Sequence, residues 1–505
     1  MTDGALNILI VMADQMAPAF LPIYGHAPAH APHMQALAKS GVVFDSAYCA
    51  SPLCSPSRAS FMAGLLPSRT RVYDNAAEFS ADIPTFAHHL RLRGYRTILS
   101  GKMHFCGPDQ LHGFEERLTT DIYPADYGWT PDWDHPETRP SWYHNMSSVA
   151  QAGVCVRTNQ LDFDDEVAFA SERAIFDIAR SNDRRPFLLV ASFTHPHDPF
   201  AVPQRYWDLY RDQDIAMPSG APEALDPHSR RLRHVCAMDA EPVTEAQVRN
   251  ARRAYLGAIA YVDDNLGRLM QALRSSGLAE DTIVIVVSDH GEMLGERGLW
   301  YKMSFFEGAC RVPLVIASPG RIAPGRVGAS VSLLDILPTL IDLSGGDARA
   351  SAPSIDGRSL APHLAGRRGH DEAIGEYLAE GAVAPLVMIR RGALKFIHSP
   401  PDPDQLYNLE RDPGERRNLA AEPGHAEKIA EFRAEVARRW DLAALDAEVR
   451  ASQRRRRMVD AALNKGALRA WDFQPFRDAS KQYMRNSIDL DELEAMARFP
   501  RVLTE

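Results

Sequence analysis

The sequence predicts an α/β protein: one large, mainly parallel mixed sheet sandwiched by helices, joined to a smaller carboxyl-terminal α+β part and a tail. Three observations carry that expectation. Short apolar runs rich in branched residues recur as far as Ser318, as strands buried on both faces do. Stretches of helical periodicity lie between them. After Gly345-Gly346 the pattern changes to alternating apolar and polar residues with Gly turns.

Taken in order, the runs are NILIVM at 7–12, RTILS at 96–100, FLLVASF at 187–193, TIVIVVS at 282–288 and VPLVIAS at 312–318. Residues 52–64, PLCSPSRASFMAG, read as a helix ended by Gly64, with Ser55 as its cap and Pro56 in its first position. Asp164–Arg180 carries apolar residues at 167, 169, 175, 176 and 178, a helical spacing. Thr244-Glu-Ala-Gln247 has the form of a capping box and opens a long helix that stops at Gly277. The loops 105–160 and 200–240 are long, aromatic and Pro-rich, which is usual of functional loops. Residues 374–410 read as a small antiparallel sheet and 425–464 as charged helix, whose Arg454–Arg457 run reads as a solvated face. The last forty residues carry Trp471, Phe473, Phe476, Tyr483 and Phe499, which need a surface on this subunit or a neighbour. The expected division is a catalytic α/β domain over 1–365, a smaller domain over 366–464 and a tail over 465–505.

The 505 residues, 45% hydrophobic and 24% charged, suit an ordinary globular chain. Lys and Arg number 56 against 66 Asp and Glu, a net charge of −10, which argues against a nucleic-acid partner. No run approaches the roughly 18–20 apolar residues of a membrane helix. The six cysteines (49, 54, 106, 155, 236 and 310) form no CxxC pair and read as free thiols of a reducing compartment. The amino terminus has an acidic residue and no basic segment before its apolar run, so no signal peptide is expected and the expected location is cytoplasmic.

Four of the five apolar runs deliver polar residues just beyond their carboxyl ends. Asp14-Gln15 follows the first, Lys102 and His104 the second, His195-Pro-His197-Asp198 the third, and Asp289-His290 the fourth. In open α/β sheets ligands bind at that edge. A lone Asp there is usually a turn former, and a lone Lys is usually solvated. Two carboxylates, several imidazoles and a Lys at one sheet edge would need all those separate explanations at once. Cys54, at a helix amino terminus beside Arg58, stands where exposed N–H groups favour an anion. A free Cys is more often a small buried hydrophobe, and composition alone does not separate the two.

Cys54-x-Pro56-x-Arg58 followed by Ala-Ser-Phe-Met-Ala-Gly resembles the signature of the sulfatases, in the alkaline phosphatase superfamily. The resemblance extends to Asp14-Gln15, GKMH at 101–104, HDP at 197–199, SDHGEMLGERG at 288–298 and Lys302, and so covers the chain. RTRVYDNAAEF at 69–79, the stretch 107–132, FTHPHDPF at 193–200 and GLWYKMSFFEG at 298–308 are similar to the choline-sulfatase branch. Gln15 replaces the second Asp of many members, and His290 their Asn. Both variants also occur among phosphonate monoester hydrolases.

The resemblance implies that a maturation enzyme oxidises Cys54 to formylglycine. One oxygen of its hydrate would attack sulfur and the other would then expel sulfate, splitting a hard displacement into two steps. It implies one divalent cation held by Asp14, Gln15, Asp289, His290 and an oxygen of modified Cys54, most simply Ca²⁺, with Mn²⁺ and Mg²⁺ as alternatives. Arg58, Lys102 and Lys302 would clamp hydrate and sulfate. His104 would be the base, and His197 the acid at the leaving oxygen with Lys302 assisting, His195 being its substitute. Asn75, Trp129, Asn145, Glu380 and Asp491 would bind a quaternary-ammonium leaving group, held by aromatic faces and carboxylates. For an arbitrary Glu380 or Asp491, surface charge is the commoner fate. The tail containing Asp491 would reach a neighbouring subunit, making a homo-oligomer, dimer or tetramer. The resemblance implies hydrolysis of the sulfate ester of choline to choline and sulfate; a phosphonate or phosphodiester hydrolase and an unmodified quaternary-ammonium binding protein are the rivals.

Overall fold

The computed structural model describes residues 5–25, 28–124 and 126–466. Asp491 and the aromatic residues 471, 473, 476, 483 and 499 lie outside the described residues. In chain order the first strands are β1 (Asn7–Asp14), β2 (Gly41–Tyr48), β3 (Arg96–Gly101), β4 (Glu116–Arg117), β5 (Gly153–Cys155), β6 (Phe187–Pro196) and β7 (Ala201–Pro203). They are followed by β8 (Thr282–Ser288), β9 (Arg311–Val312), β10 (Leu314–Ala317) and β11 (Gly325–Ser332). A large sheet has the order β11-β2-β10-β8-β1-β6-β3-β4, with β9 alongside β2. Its centre is parallel: β1 pairs in parallel with both β6 and β8, and β3 with β6. β10 alone among these central neighbours runs antiparallel, against β8 and β2.

Each of the five apolar runs forms strand. The run at 312–318 differs from expectation in being broken: Pro313 cannot donate to a ladder, so it separates β9 from β10. β2 and β11 were not anticipated. Their sequences, GVVFDSAY and GRVGASVS, mix Gly, Ser and Asp into the apolar pattern, and their neighbours in the sheet supply the missing preference.

Every residue of β6 is buried, so both sheet faces are covered. The helices Asn159–Arg180 and Glu245–Ser275 pack on β6 and on each other. The first begins five residues before the expected start, where Thr158 caps it by accepting from Leu161 N–H. The second opens on the expected Thr244/Gln247 capping box. A second set, Cys54–Ala63, Phe86–Leu92 and Ile336–Leu343, packs together.

A four-stranded antiparallel sheet follows: β12 (Ala373–Tyr377), β13 (Leu386–Arg391), β14 (Leu394–His398) and β15 (Gln405–Asn408). Its buried Val387, Ile389, Phe396 and Leu406 pack with Ile429, Phe432 and Val436 of the helix Ala426–Arg439. The last described helix, Leu442–Leu463, starts after a break at Trp440-Asp441. In its Arg454–Arg457 run, Arg454, Arg455 and Arg457 are exposed as a solvated face would be, and Arg456 is not. Arg456 is buried and pairs with Asp74, Arg454 pairs with Asp134 and Arg457 with Asp132. No helix among the described residues is long and apolar enough to cross a membrane.

Candidate active site

The site forms where β1, β3, β6 and β8 end together. Beside Ser192, β1 and β6 lose register, Met12 facing Ser192 but Asp14 facing Pro196, which turns Asp14-Gln15 into the crevice. β3 ends at Gly101, whose φ is +102° and where a Cβ would stand 2.0 Å from Ser192 O. Only glycine permits that approach, and it sets Lys102 against the sheet edge, its N–H donating to Ser192 O at 3.0 Å.

Cys54 occupies the first position of the helix Cys54–Ala63. The residue preceding that helix is Leu53, so Ser55 is not the cap and Pro56 is third rather than first. Asn75 does the capping instead: its Oδ1 accepts from Ser55 N–H at 2.9 Å. Ser55 turns its hydroxyl to His104 O at 3.0 Å, tying the helix start to the loop after β3. Gly64, left-handed, ends the helix as expected.

Around the sulfur, His290 Nε2 lies 3.2 Å and Asp14 Oδ1 3.9 Å away. Asp14, Cys54, Asp289 and His290 each present one possible ligand atom, all within 4.8 Å of one another and all buried. Two hard carboxylates, one imidazole and the amide of adjacent Gln15 make a donor set suited to a divalent cation. The residues around it fix the ligands. Asp289 Oδ1 accepts from the N–H groups of Gln15 (3.1 Å) and His290 (2.8 Å), and its Oδ2 from Arg58 Nε at 2.8 Å. His290 Nδ1 faces Gly291 O at 3.0 Å, which leaves Nε2 for the centre. Gln15, at φ +65°, donates its amide to Glu292 and offers Oε1 inward, where Lys302 Nζ donates at 2.8 Å.

The fully buried Arg58 is satisfied on several sides, donating to Asp289, to Lys102 O at 2.5 Å and to Ser192 Oγ at 2.8 Å, with Asp14 at 3.5 Å. Lys102 Nζ donates to Asp14 and sits 4.3 Å from the Tyr123 ring centroid. Burial alone would raise the Cys54 thiol's pKa, but Lys102, Lys302 and His290 overcome it and hold the thiol well below its ordinary value. Burial and the Cys54 charge push Asp14 up, yet Lys102, His197 and Arg58 hold it below the usual carboxylate range. The position is built for negative charge.

His104 is buried, and neither ring nitrogen has a hydrogen-bond partner. Its main chain, at φ +55°, is held by Asp121, which accepts from His104 N–H at 2.8 Å. Burial opposes the charge on Asp121, but Arg117 and His104 bring its pKa down to about 2. His197 Nδ1 lies 2.7 Å from Asp198 O and its Nε2 2.8 Å from Lys302 Nζ. His195 faces another way: its Nδ1 lies 2.6 Å from Asp164 Oδ2 and its ring packs edge-on to Tyr261. Those contacts occupy Nδ1 of His195 and tie its ring to Asp164 and Tyr261.

An aromatic wall stands beside these groups. The Trp129 centroid is 5.9 Å from His104, 6.1 Å from Tyr123 and 6.2 Å from Trp142, stacked on the last. His144 stacks on Tyr301 at 4.4 Å, and Asn145 O accepts from Tyr301 Oη. Glu380 is buried rather than a surface charge. Burial, with Asp74 adding, raises its pKa to about 7 even though Lys302 opposes this. It lines a cavity of about 470 Å³ with Trp133 and Tyr143. Asp14, Gln15, Lys102, His104, His197, Asp289 and His290 thus lie just past the ends of β1, β3, β6 and β8, with Cys54, Arg58 and Lys302 against them, while Glu380 follows β12 of the second sheet. Sequence reasoning missed Tyr123, Asp121, Ser192 and Glu292. Glu292, two residues past His290, carried a positional signal; Asp121 and Tyr123 lie in an irregular loop and carried none.

A buried cysteine at a helix start, between carboxylates on one side and lysines on the other at a parallel sheet's edge, defines a sulfatase-type centre on an alkaline-phosphatase-like fold. The sulfatase family model matches residues 6–346, and the chain belongs to that family. A model described as choline sulfatase enzyme C terminal matches residues 447–499, and one described as N-sulphoglucosamine sulphohydrolase, C-terminal, matches 295–441. The chain is 51% identical over 511 residues to the choline-sulfatase of Rhizobium meliloti, covering 99% of this chain and 100% of the relative. It is 32% identical over 372 residues to a sulfatase of Formosa agariphila, covering 68% and 70%. Among solved structures it resembles the phosphonate monoester hydrolase of Agrobacterium radiobacter with a TM-score of 0.67 and 28% identity, covering 88% of this chain and 96% of that one.

Proposed function

We propose that this chain hydrolyses the sulfate ester of choline to choline and sulfate. The observation that carries the reading is Cys54 at a helix start, flanked by the Asp14/Asp289/His290 group and by Lys102, Lys302 and His197, beside an aromatic wall. Family membership and the 51% identical choline-sulfatase support the substrate. In this reading Cys54 is converted to formylglycine by a maturation enzyme. Asp14, Gln15, Asp289, His290 and an oxygen of the converted Cys54 would hold Ca²⁺, with Mn²⁺ or Mg²⁺ as alternatives. A divalent cation held there would supply Lewis acidity toward the sulfate oxygens and the side chain at position 54.

The chain's own residues do the rest. Arg58, locked between Asp14 and Asp289, keeps both carboxylates oriented. Lys102 and Lys302 present ammonium groups where sulfate charge develops. His104, with its ring nitrogens unpaired, would be the group that accepts a proton from the side chain at position 54. His197 Nδ1 faces a carbonyl and so carries the hydrogen, which leaves Nε2 to accept from Lys302. The proton for the leaving oxygen is therefore held between Lys302 Nζ and His197 Nε2. Tyr123 and Trp129 offer π faces to a cation that has no N–H to donate, with buried Glu380 supplying charge. Asn75 and Asn145 complete the leaving-group end.

Steady-state rates on choline sulfate, an aryl sulfate and a phosphonate monoester test the reading. Preference for choline sulfate is expected. Turnover of the phosphonate with none of choline sulfate would transfer the assignment to a phosphonate hydrolase. Peptide mass spectrometry on Cys54 should find the aldehyde; an intact thiol in protein from a host with the maturation enzyme would leave only a binding role. We also read 1–365 as the catalytic domain and 366–464 as a smaller one, which the separate β12–β15 sheet supports. A cytoplasmic location accords with six unpaired cysteines. A homo-oligomer, dimer or tetramer, accords with the match to the choline-sulfatase carboxyl-terminal model.

A further inference from the structure

The buried face of the helix Leu442–Leu463 consists of Leu445, Val449, Ser452, Gln453 and Arg456. At that spacing position 456 is a core position, where an apolar residue is the ordinary choice. A guanidinium there is costly unless every N–H is matched. Here it is matched. NH1 and NH2 donate to the two oxygens of Asp74 at 2.7 Å each, NH1 also to Thr130 Oγ1 at 3.1 Å, and Nε to Ser452 Oγ at 3.2 Å. Asp74 is itself fully buried.

The partners of Arg456 stand next to the leaving-group end of the site. Asp74 precedes Asn75, whose Oδ1 holds the Ser55 N–H beside Cys54. Thr130 follows Trp129, whose ring faces His104 and Tyr123. One side chain thus joins two segments far apart in sequence, which also touch where Tyr127 Oη donates to Glu78 at 3.3 Å. The same helix holds a third: Gln453 Oε1 accepts from Trp133 N–H at 3.0 Å, and Trp133 Nε1 donates to Ala379 O, next to Glu380.

We propose that Arg456 is a positioning residue for the reaction: by bridging Asp74 and Thr130 it sets the separation of Asn75 and Trp129, and so the fit of the cationic leaving group. The inference rests on the choline-sulfate reading. It assigns Arg456 no contact with substrate and no part in cleaving the S–O bond. Lys cannot replace it, because one ammonium cannot span both carboxylate oxygens and the Thr130 hydroxyl in the same plane.

The test compares Arg456→Lys with wild type, using KM and kcat on choline sulfate and on 4-nitrophenyl sulfate together with the melting temperature. The expected result is KM for choline sulfate raised ~10-fold, with kcat/KM for the aryl ester within about 3-fold of wild type. Asp74→Asn with Arg456→Gln, which replaces the ion pair by a hydrogen-bonded amide pair, should recover part of the lost KM. It also serves if Arg456→Lys does not fold. The exposed Arg455→Lys, on the same helix, is the control. Equal losses on both substrates, or a lowered melting temperature with unchanged KM, overturn the proposal. Wild-type protein with no preference for choline sulfate would instead overturn the functional reading beneath it, a result recorded before any variant is made.

Discussion

At the scale of single residues the site is a set of charges that burial would forbid one at a time. Arg58 and Asp289 are both fully buried, and removing one partner of such a pair costs ~3–5 kcal/mol because the other is left uncompensated. The same arrangement gives His197 a defined proton partner in Lys302. Its role depends on the leaving group. An alkoxide such as that of choline needs a proton as the S–O bond breaks, whereas an activated phenolate needs little help. His197→Ala is therefore expected to lower kcat on choline sulfate by ~10²–10⁴ and to lower aryl sulfate turnover far less. Equal losses on both esters would remove His197 from the acid role.

At the scale of elements, the second sheet is fastened to the first part of the chain through buried polar groups. Glu376 on β12 accepts from Ser68 N–H and Oγ (2.7 and 2.8 Å) and from Trp440 Nε1 (2.7 Å), joining three elements. Burial pushes its carboxyl from 4.5 up to about 7 despite those donors. A carboxyl raised on folding contributes stability that is fully present below pH ~4.5 and lost as pH rises through about 7. The unfolding free energy of wild type should therefore fall more between pH 5 and 8 than that of Glu376→Gln, by on the order of 2–3 kcal/mol, read as a larger drop in melting temperature. Parallel curves would mean that the group keeps an ordinary pKa. Much of this level was legible in the sequence. The capping box at Thr244 and the apolar runs gave helices and strands their places, because local pattern and final burial agree there. β2 and β11 were not legible, since Gly41–Tyr48 and Gly325–Ser332 take their extended form from pairing with each other.

At the scale of the molecule, one sheet edge collects side chains from positions 14 to 302. Asp14 and Asp289 meet because β1 and β8 are parallel neighbours in matched register, Ala13 opposite Ser288. A cation bridging them would bind the folded chain and not the unfolded one. Chelation should therefore lower both activity and melting temperature, and adding back a divalent ion should restore both. Asp289→Asn should reduce the metal found by elemental analysis of the purified protein. Full activity in protein free of any divalent ion would contradict this.

Residue types after the apolar runs and the pattern around Cys54 were enough to expect Asp14, Lys102, His104, His197, Asp289 and His290 at one edge. That followed because strands set their own direction and end where apolar character ends. Which neighbours each of them has depends on how distant segments pack. That packing made Asn75 the cap of the Cys54 helix, turned His195 toward Asp164, buried Glu380, and drew Arg456 inward to Asp74. Those outcomes depend on contacts between residues up to 382 positions apart, and no local pattern encodes which distant charge will be present to offset the cost of burial.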